Sequence, residues 1–97
     1  MSLPERHKKQ LRRLGHARKP VVIVGAQGLR DSVHAEIAAA LLRHELVKVR
    51  LAVGERAARD AALAALLEAS GAELVQRIGH VALLYRRHPE RPRIVLE

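Results

Sequence analysis

Lys19-Pro20-Val21-Val22-Ile23-Val24-Gly25-Ala26-Gln27-Gly28-Leu29 is the stretch on which the fold turns. Pro20 has no N–H to donate and biases Lys19 away from helical dihedrals, so a new element starts here. The four β-branched residues 21–24 form a run too short for a helix and suited to a strand buried on both faces. Gly25 and Gly28 close that strand. Asp31 then stands where an N-cap belongs, before a helix in which Val33, Ile37, Ala40, Leu41 and His44 recur at helical spacing, with His44 near its end. A strand, a glycine loop and a helix in this order form the repeating unit of an α/β sheet.

Upstream, Ser2-Leu3-Pro4-Glu5 reads as a capping box that opens a helix running to about Leu14, with Gly15 as its stop. On a helical projection Leu3, His7, Leu11 and Leu14 fall within about 80° of one another, opposite Arg6, Lys8, Lys9, Arg12 and Arg13. The predicted helix is amphipathic and its outer face cationic. Downstream, residues 47–53 alternate with period two, which sends Lys48 and Arg50 to one side of a strand and the valines to the other. Residues 55–70 are alanine-rich, with Leu63, Leu66 and Leu67, and Gly71 sits where a helix C-cap is expected. Residues 74–78 and 81–86 read as two antiparallel strands joined by the Gly79-His80 pair of a tight hairpin.

The predicted order is therefore α-β-α-β-α-β-β, a single compact α/β domain over residues 1–97 with a four-stranded mixed sheet. Its two helical crossovers favour parallel strands, with a hairpin added at the end. Residues 88–97 hold two prolines; Ile94, Val95 and Leu96 dock as an extended strip or form a loose extension.

The 97 residues are 48% hydrophobic but almost wholly aliphatic, Tyr85 being the only aromatic. No cysteine is present, which excludes a disulfide framework, a thiolate nucleophile and any Cys-containing zinc site. Residues 1–14 contain no stretch of signal-peptide length, and no run approaches the ~20 apolar residues of a membrane span, so the expected location is the cytoplasm and no membrane is expected as partner. Eighteen Lys and Arg against ten Asp and Glu give a net charge of +8, which favours a polyanionic partner, nucleic acid first. The charge is uneven: residues 1–30 carry +7, residues 31–76 carry −2 and residues 77–97 carry +3. The two ends are expected to build one basic surface that the middle supports.

The loop of Gly25, Ala26, Gln27 and Gly28 lies between a strand and a helix N-terminus, where backbone N–H groups can approach a phosphate with no Cβ in the way. A turn that needs glycine for its dihedrals explains the same residues. The loop lacks the third glycine of a dinucleotide fingerprint and the Lys-Ser/Thr ending of a phosphate-binding P-loop, so no nucleotide cofactor or small-molecule substrate is expected. Seven basic residues fall between Arg6 and Lys19 with no acid among them, a density that favours an anionic ligand over a merely solvated face. Single-strand readers stack bases on aromatic rings, and only Tyr85 is available, which points to structured RNA read through phosphates, 2′-hydroxyls and shape. A basic face also suits an acidic protein partner. The six histidines show no metal-ligand spacing and no carboxylate partner in sequence; burial or capping accounts for His7 and His44, and His80 at the hairpin tip is a lesser candidate for RNA contact. No catalytic constellation and no metal site are expected.

Taken together, Lys19-Pro20-Val21, the Gly25-Ala26-Gln27-Gly28 loop, His44-Glu45-Leu46-Val47-Lys48-Val49, Ile78-Gly79-His80 and Leu83-Leu84-Tyr85-Arg86 resemble the CRM domain (chloroplast RNA splicing and ribosome maturation) in its stand-alone bacterial, YhbY-like branch. The resemblance covers about residues 3–97, and the combined order is more specific than any piece. It implies a non-catalytic RNA-binding domain with a fold like the C-terminal domain of translation initiation factor three. It also implies association with ribosomal RNA in precursors of the large (50S) subunit during ribosome assembly. The expected RNA-binding residues are Gly25, Ala26, Gln27 and Gly28 in the loop, with Arg12, Arg13, Lys19 and Arg30 around it, Arg77 and Arg86 as contributors from the hairpin, and Arg6, Lys8 and Lys9 on the cationic face of the first helix. Ala26 departs from a basic or hydroxyl residue that would add a phosphate contact, leaving more to backbone amides. The domain is expected to act as a monomer.

Overall fold

The computed structural model describes residues 3–20 and 22–97; Ser2 of the expected capping box and Val21 of the expected strand lie outside them. The elements run α1 (Glu5–His16), β1 (Val22–Val24), α2 (Asp31–His44), β2 (Leu46–Leu51), α3 (Arg56–Ser70), β3 (Glu73–Ile78) and β4 (Val81–Tyr85). This is the expected order. The sheet order is β1-β2-β4-β3, with β1 parallel to β2 and β4 antiparallel to both β2 and β3. The hairpin is added as a unit at the β2 edge, with its second strand next to β2 and β3 outermost, and β1, β2 and β3 all point the same way.

One face of the sheet packs on α2 and α3. Val22 and Val24 of β1, Val47, Val49 and Leu51 of β2, and Ala82 and Leu84 of β4 meet Ile37, Leu41, Leu63 and Leu66 there. On the other face α1 lies over β2, β4 and β3, and Leu11 packs with Leu46, Val75, Leu83 and Tyr85. Fully burying a leucine such as Leu11 contributes about 1.5–3 kcal/mol.

Several local expectations are corrected. Gly15 does not stop α1; the helix continues to His16, and Gly15 is buried within it. A Cβ at Gly15 would lie 2.7 Å from Leu83 Cδ2, so the glycine is there because the helix rests directly on Leu83. The buried stripe of α1 accordingly runs through Leu11 and Gly15, and Leu14 is 42% exposed. Pro4 occupies the N-cap without a side-chain hydrogen bond, and Glu5 turns instead to Arg12. Arg30, not Asp31, occupies the N-cap of α2, and Asp31 is its first helical residue. β1 is not buried on both faces: it is an edge strand, and Ile23 is 59% exposed. His44 is exposed rather than buried.

Residues 88–97 are docked rather than loose, and Glu45 explains why. This residue follows α2 at φ 61, ψ −41, a strained turn conformation for a side chain with a Cβ, and is fully buried. Its Oε2 accepts the His88 N–H at 2.8 Å, and its Oε1 accepts those of Arg93 at 2.8 Å and Ile94 at 2.9 Å. Burial alone would raise its carboxyl pKa; the N–H donors of His88, Ile94 and Arg93, with the Arg93 charge, outweigh that and hold it below the ordinary value. Ile94 and Leu96 then pack against the α1-side core, and Gln10 bonds the Val95 carbonyl at 2.6 Å and the Glu97 N–H at 3.0 Å.

Candidate nucleic-acid interface

Because β1, β2 and β3 are mutually parallel, their carboxyl ends share one pole of the domain, the usual place for a ligand in an open α/β sheet. That pole carries residues 25–28 after β1, residues 52–55 after β2, and Gly79-His80 after β3. Register confirms the adjacency: Val24 pairs with Leu51, Arg50 with Val81, and the Leu51 N–H donates to the His80 carbonyl.

The glycine loop is a closed turn. The Gly28 N–H donates to the Gly25 carbonyl at 3.0 Å, and Gly28 has φ +74, which favours glycine. The dihedral explanation therefore accounts for Gly28, whose amide is already committed. Ala26 and Gln27 are exposed at the tip, and among the described residues their N–H groups have no partner. A Cβ at Gly25 would meet nothing within 4 Å, so the loop presents open backbone to solvent. Arg30 is exposed beside it at the start of α2, whereas Lys19, also exposed, precedes β1 and lies towards the other end of that strand.

α1 begins near the opposite pole, where the Leu3 N–H bonds the Glu73 carboxylate at 2.8 Å, and its C-terminal turn ends beside the hairpin. Lys9, Arg12, Arg13 and His16 line a shallow depression together with Gln76 and Ile78 of β3. Arg6 and Lys8 lie further back, about 10 Å along the axis from Arg13 in the case of Arg6. Arg12 is partly engaged: it pairs with Glu5 at 2.7 Å, and that hydrogen bond and charge, with a further contribution from Lys8, draw the Glu5 carboxyl below its ordinary pKa.

The C-terminal basic residues do not join this face. Arg77 lies on the α3 side of β3 and pairs with Asp60 at 2.5 Å; with Arg56, Arg59, Gly79 and His80 it lines a separate recess behind the hairpin. Arg86 stands beyond β4 at the other pole, about 17 Å of strand away from Val81. Its guanidinium bonds the Ser70 carbonyl at 2.7 Å, tying down the end of α3. The expectation that both chain ends build one surface is therefore corrected: antiparallel β4 carries Arg86 away from the loop, and the sheet separates Arg77 from α1.

Residues from the middle of the chain take that place. Lys48 and Arg50 project from β2 on the α1 side, Arg50 in a row across the sheet with exposed Ile23, Val81 and Ile78. Lys48 Nζ donates to the Arg18 carbonyl and Arg18 Nη1 to the Leu46 carbonyl, both at 2.8 Å, so residues 17–20 are strapped across the sheet. The alternation in β2 had signalled that Lys48 and Arg50 point together; no local signal marks His16, Gln76 or Ile78. Among the described residues no set of three His, Cys, Asp or Glu side chains is placed to hold a metal, and no helix is long and apolar enough to cross a membrane.

The model of the CRS1/YhbY (CRM) domain matches residues 3–86. The chain belongs to the CRM domain family. This CRM domain is 48% identical over 90 residues to a Pseudomonas aeruginosa protein named "Probable RNA-binding protein", covering 93% of this chain and 86% of that one. It is 39% identical over 89 residues to an RNA-binding protein of Haemophilus influenzae, covering 92% and 90%. With the Bacillus subtilis protein YqeI, also named a probable RNA-binding protein, it shares 33% over 94 residues, covering 97% and 98%. The solution structure of a hypothetical Staphylococcus aureus protein, described there as an RNA-binding candidate, superposes with a TM-score of 0.82 at 30% identity, covering 99% of this CRM domain and all of that chain.

Proposed function

We propose that this CRM domain is a non-catalytic RNA-binding protein that engages structured ribosomal RNA in large-subunit precursors during ribosome assembly in the cytoplasm. It acts as a single unit over residues 1–97 and as a monomer. The observation that carries this reading is the convergence at one pole of the glycine loop, the cationic C-terminal half of α1 and the Lys48–Arg50 side of β2. Lys9, Arg12, Arg13, Arg30, Lys48 and Arg50 hold phosphates there, and Lys19 adds positive charge from the amino end of β1. The free amides of Ala26 and Gln27 supply short-range donors that require no side chain. Arg6 and Lys8 extend the cationic track along α1; Arg77 contributes from behind the hairpin, and Arg86 acts in the fold. The family and the printed names of the relatives support RNA as the ligand, and the choice of ribosomal RNA follows from the resemblance described above.

Two measurements test it. With about five phosphates engaged, log K for a structured RNA falls with log salt at a slope of about −4, a loss of roughly 200-fold between 50 and 200 mM. Sucrose-gradient fractionation of a cell extract places the protein with precursors of the large subunit. Salt-independent binding overturns the phosphate account. Sedimentation only in the free pool, with capture of an acidic protein that survives ribonuclease, overturns the ribosomal one.

A further inference from the structure

α1 leaves part of its own sheet face open. Its C-terminal turn is seated on Leu83 through Gly15, and residues 17–20 cross the sheet towards β1. Between them lies a groove of about 250 Å³, floored by Leu83 and Val81, walled by His16 and Pro20 and rimmed by Ile78, with Lys48 and Gln76 at its polar edge. At about 30 Å³ for each water, that is the room of about eight waters, the size class of one flat heterocycle without its sugar. No carboxylate lines it. His16, Gln76 and Ile78 also line the cationic depression beside Lys9, Arg12 and Arg13, so the apolar groove and the phosphate-binding surface are continuous.

The only aromatic ring, Tyr85, is 5% exposed and belongs to the core, so no base stacks on it. The wall of the groove carries the exposed imidazole of His16, a ring on which bases stack. Gln76 is half-buried, and among the described residues its amide has no hydrogen-bond partner, leaving both a donor and an acceptor facing a ligand. Ile78 is 66% exposed on the rim.

With RNA as the ligand, as proposed above, we propose that this groove takes one unstacked nucleobase from a bulge, loop or single-stranded end. The base lies over Val81 and Leu83, stacks on His16 and presents its hydrogen-bonding edge to Gln76. Lys48, Arg50 and Arg13 hold the phosphates on either side. The site adds base preference to a surface whose other contacts go to the backbone, because an amide pairs differently with each base edge.

Fluorescence anisotropy with labelled RNA nonamers of A, C and U, and with a blunt duplex RNA, tests the assignment. The wild-type protein is expected to separate the nonamers by about fivefold or more. Gln76→Ala and Ile78→Ala, both at positions outside the buried core, are expected to collapse that separation, bringing the three nonamers to within about twofold of one another. In methyl NMR, Ile78, Val81 and Leu83 shift on addition of the preferred nonamer. Equal binding of all three nonamers, or a preference unchanged by Gln76→Ala and Ile78→Ala, overturns the base site. If the duplex still binds with steep salt dependence in that case, the phosphate-binding reading stands without it; loss of binding to every RNA would remove both.

Discussion

Replacing Gly15 by alanine isolates the contact that seats α1. The new Cβ would lie 2.7 and 2.8 Å from the two terminal carbons of Leu83, a separation that real Cβ atoms essentially never show. Leu83 is only 3% exposed, and the open space its terminal carbons border is the groove it floors, so relief of the contact comes at the expense of that groove. Two effects oppose each other. Alanine in a helix interior gains about 0.8–1.0 kcal/mol over glycine, whereas overpacking a core costs about 1–3 kcal/mol. Gly15→Ala alone is therefore expected to destabilise by about 1 kcal/mol. In a Leu83→Ala background the obstructing carbons are gone and the same change is expected to stabilise by about 1 kcal/mol, giving a coupling of about 1–3 kcal/mol. Leu83→Ala itself costs about 2–5 kcal/mol, so the cycle is run at the temperature where the protein is most stable. Urea titration followed by far-UV circular dichroism reads each variant, 1 kcal/mol moving the midpoint by roughly 0.3–1 M. If Gly15→Ala stabilises both backgrounds equally, the helix does not rest on Leu83 and the account of the groove beside it fails.

Three further substitutions probe other parts of the molecule. Glu45→Gln removes a charged acceptor from three backbone N–H groups and is expected to cost about 2 kcal/mol. Because the Glu45 pKa is lowered on folding, its contribution is complete above the ordinary value of 4.5 and is lost as pH falls through the folded value; denaturant titrations from pH 7 to 3 should show a shallower acid loss in Glu45→Gln, and an unchanged acid limb would refute the latch. Arg86→Ala should destabilise by about 1–2 kcal/mol through the lost bond to the Ser70 carbonyl, with RNA affinity per folded molecule unchanged, whereas Arg12→Glu with Arg13→Glu should do the reverse; a selective RNA defect in Arg86→Ala would contradict its placement. Gly28→Val forces a β-branched residue to φ +74 and should cost about 1–3 kcal/mol while weakening RNA binding several-fold, and retained binding in the folded variant would reduce the loop to a connector.

What could be read in the sequence is what local backbone chemistry decides. Gly71 at φ +70 ends α3 and Gly79 at φ +57 turns the hairpin, each where its flanking pattern placed it. Alternation in β2 put Lys48 and Arg50 on a common side. The misreadings share one cause, since they concern what lies across space. Gly15 had the local look of a helix stop and serves instead as a contact with a residue 68 positions away. The valine-rich run at β1 looked fully buried, but burial depends on where α1 stops. Arg86 was assigned to the loop pole because it follows a hairpin strand, and only the direction of β4 shows it at the other end. Nothing near Glu45 announces a carboxylate that anchors residues almost fifty positions later, and Gln76 gains its interest only from what α1 leaves uncovered.

The insertion of β4 between β2 and β3 has a consequence for how the protein is made. Leu46 pairs with Tyr85, and Arg50 with Val81, so the middle of the sheet stays empty until β4, the last element of the domain, has been synthesised. Within the domain α1 is translated before every other element, yet Val75, Leu83 and Tyr85, on which Leu11 packs, belong to its last two strands. The helix with the densest positive charge therefore waits without its apolar support through most of translation. Its docking coincides with closure of the sheet, in a single late event dominated by distant contacts, the regime in which small domains fold slowly. Until then the nascent chain exposes an amphipathic cationic segment, and the finished domain forms only once β4 is free to turn back onto β2.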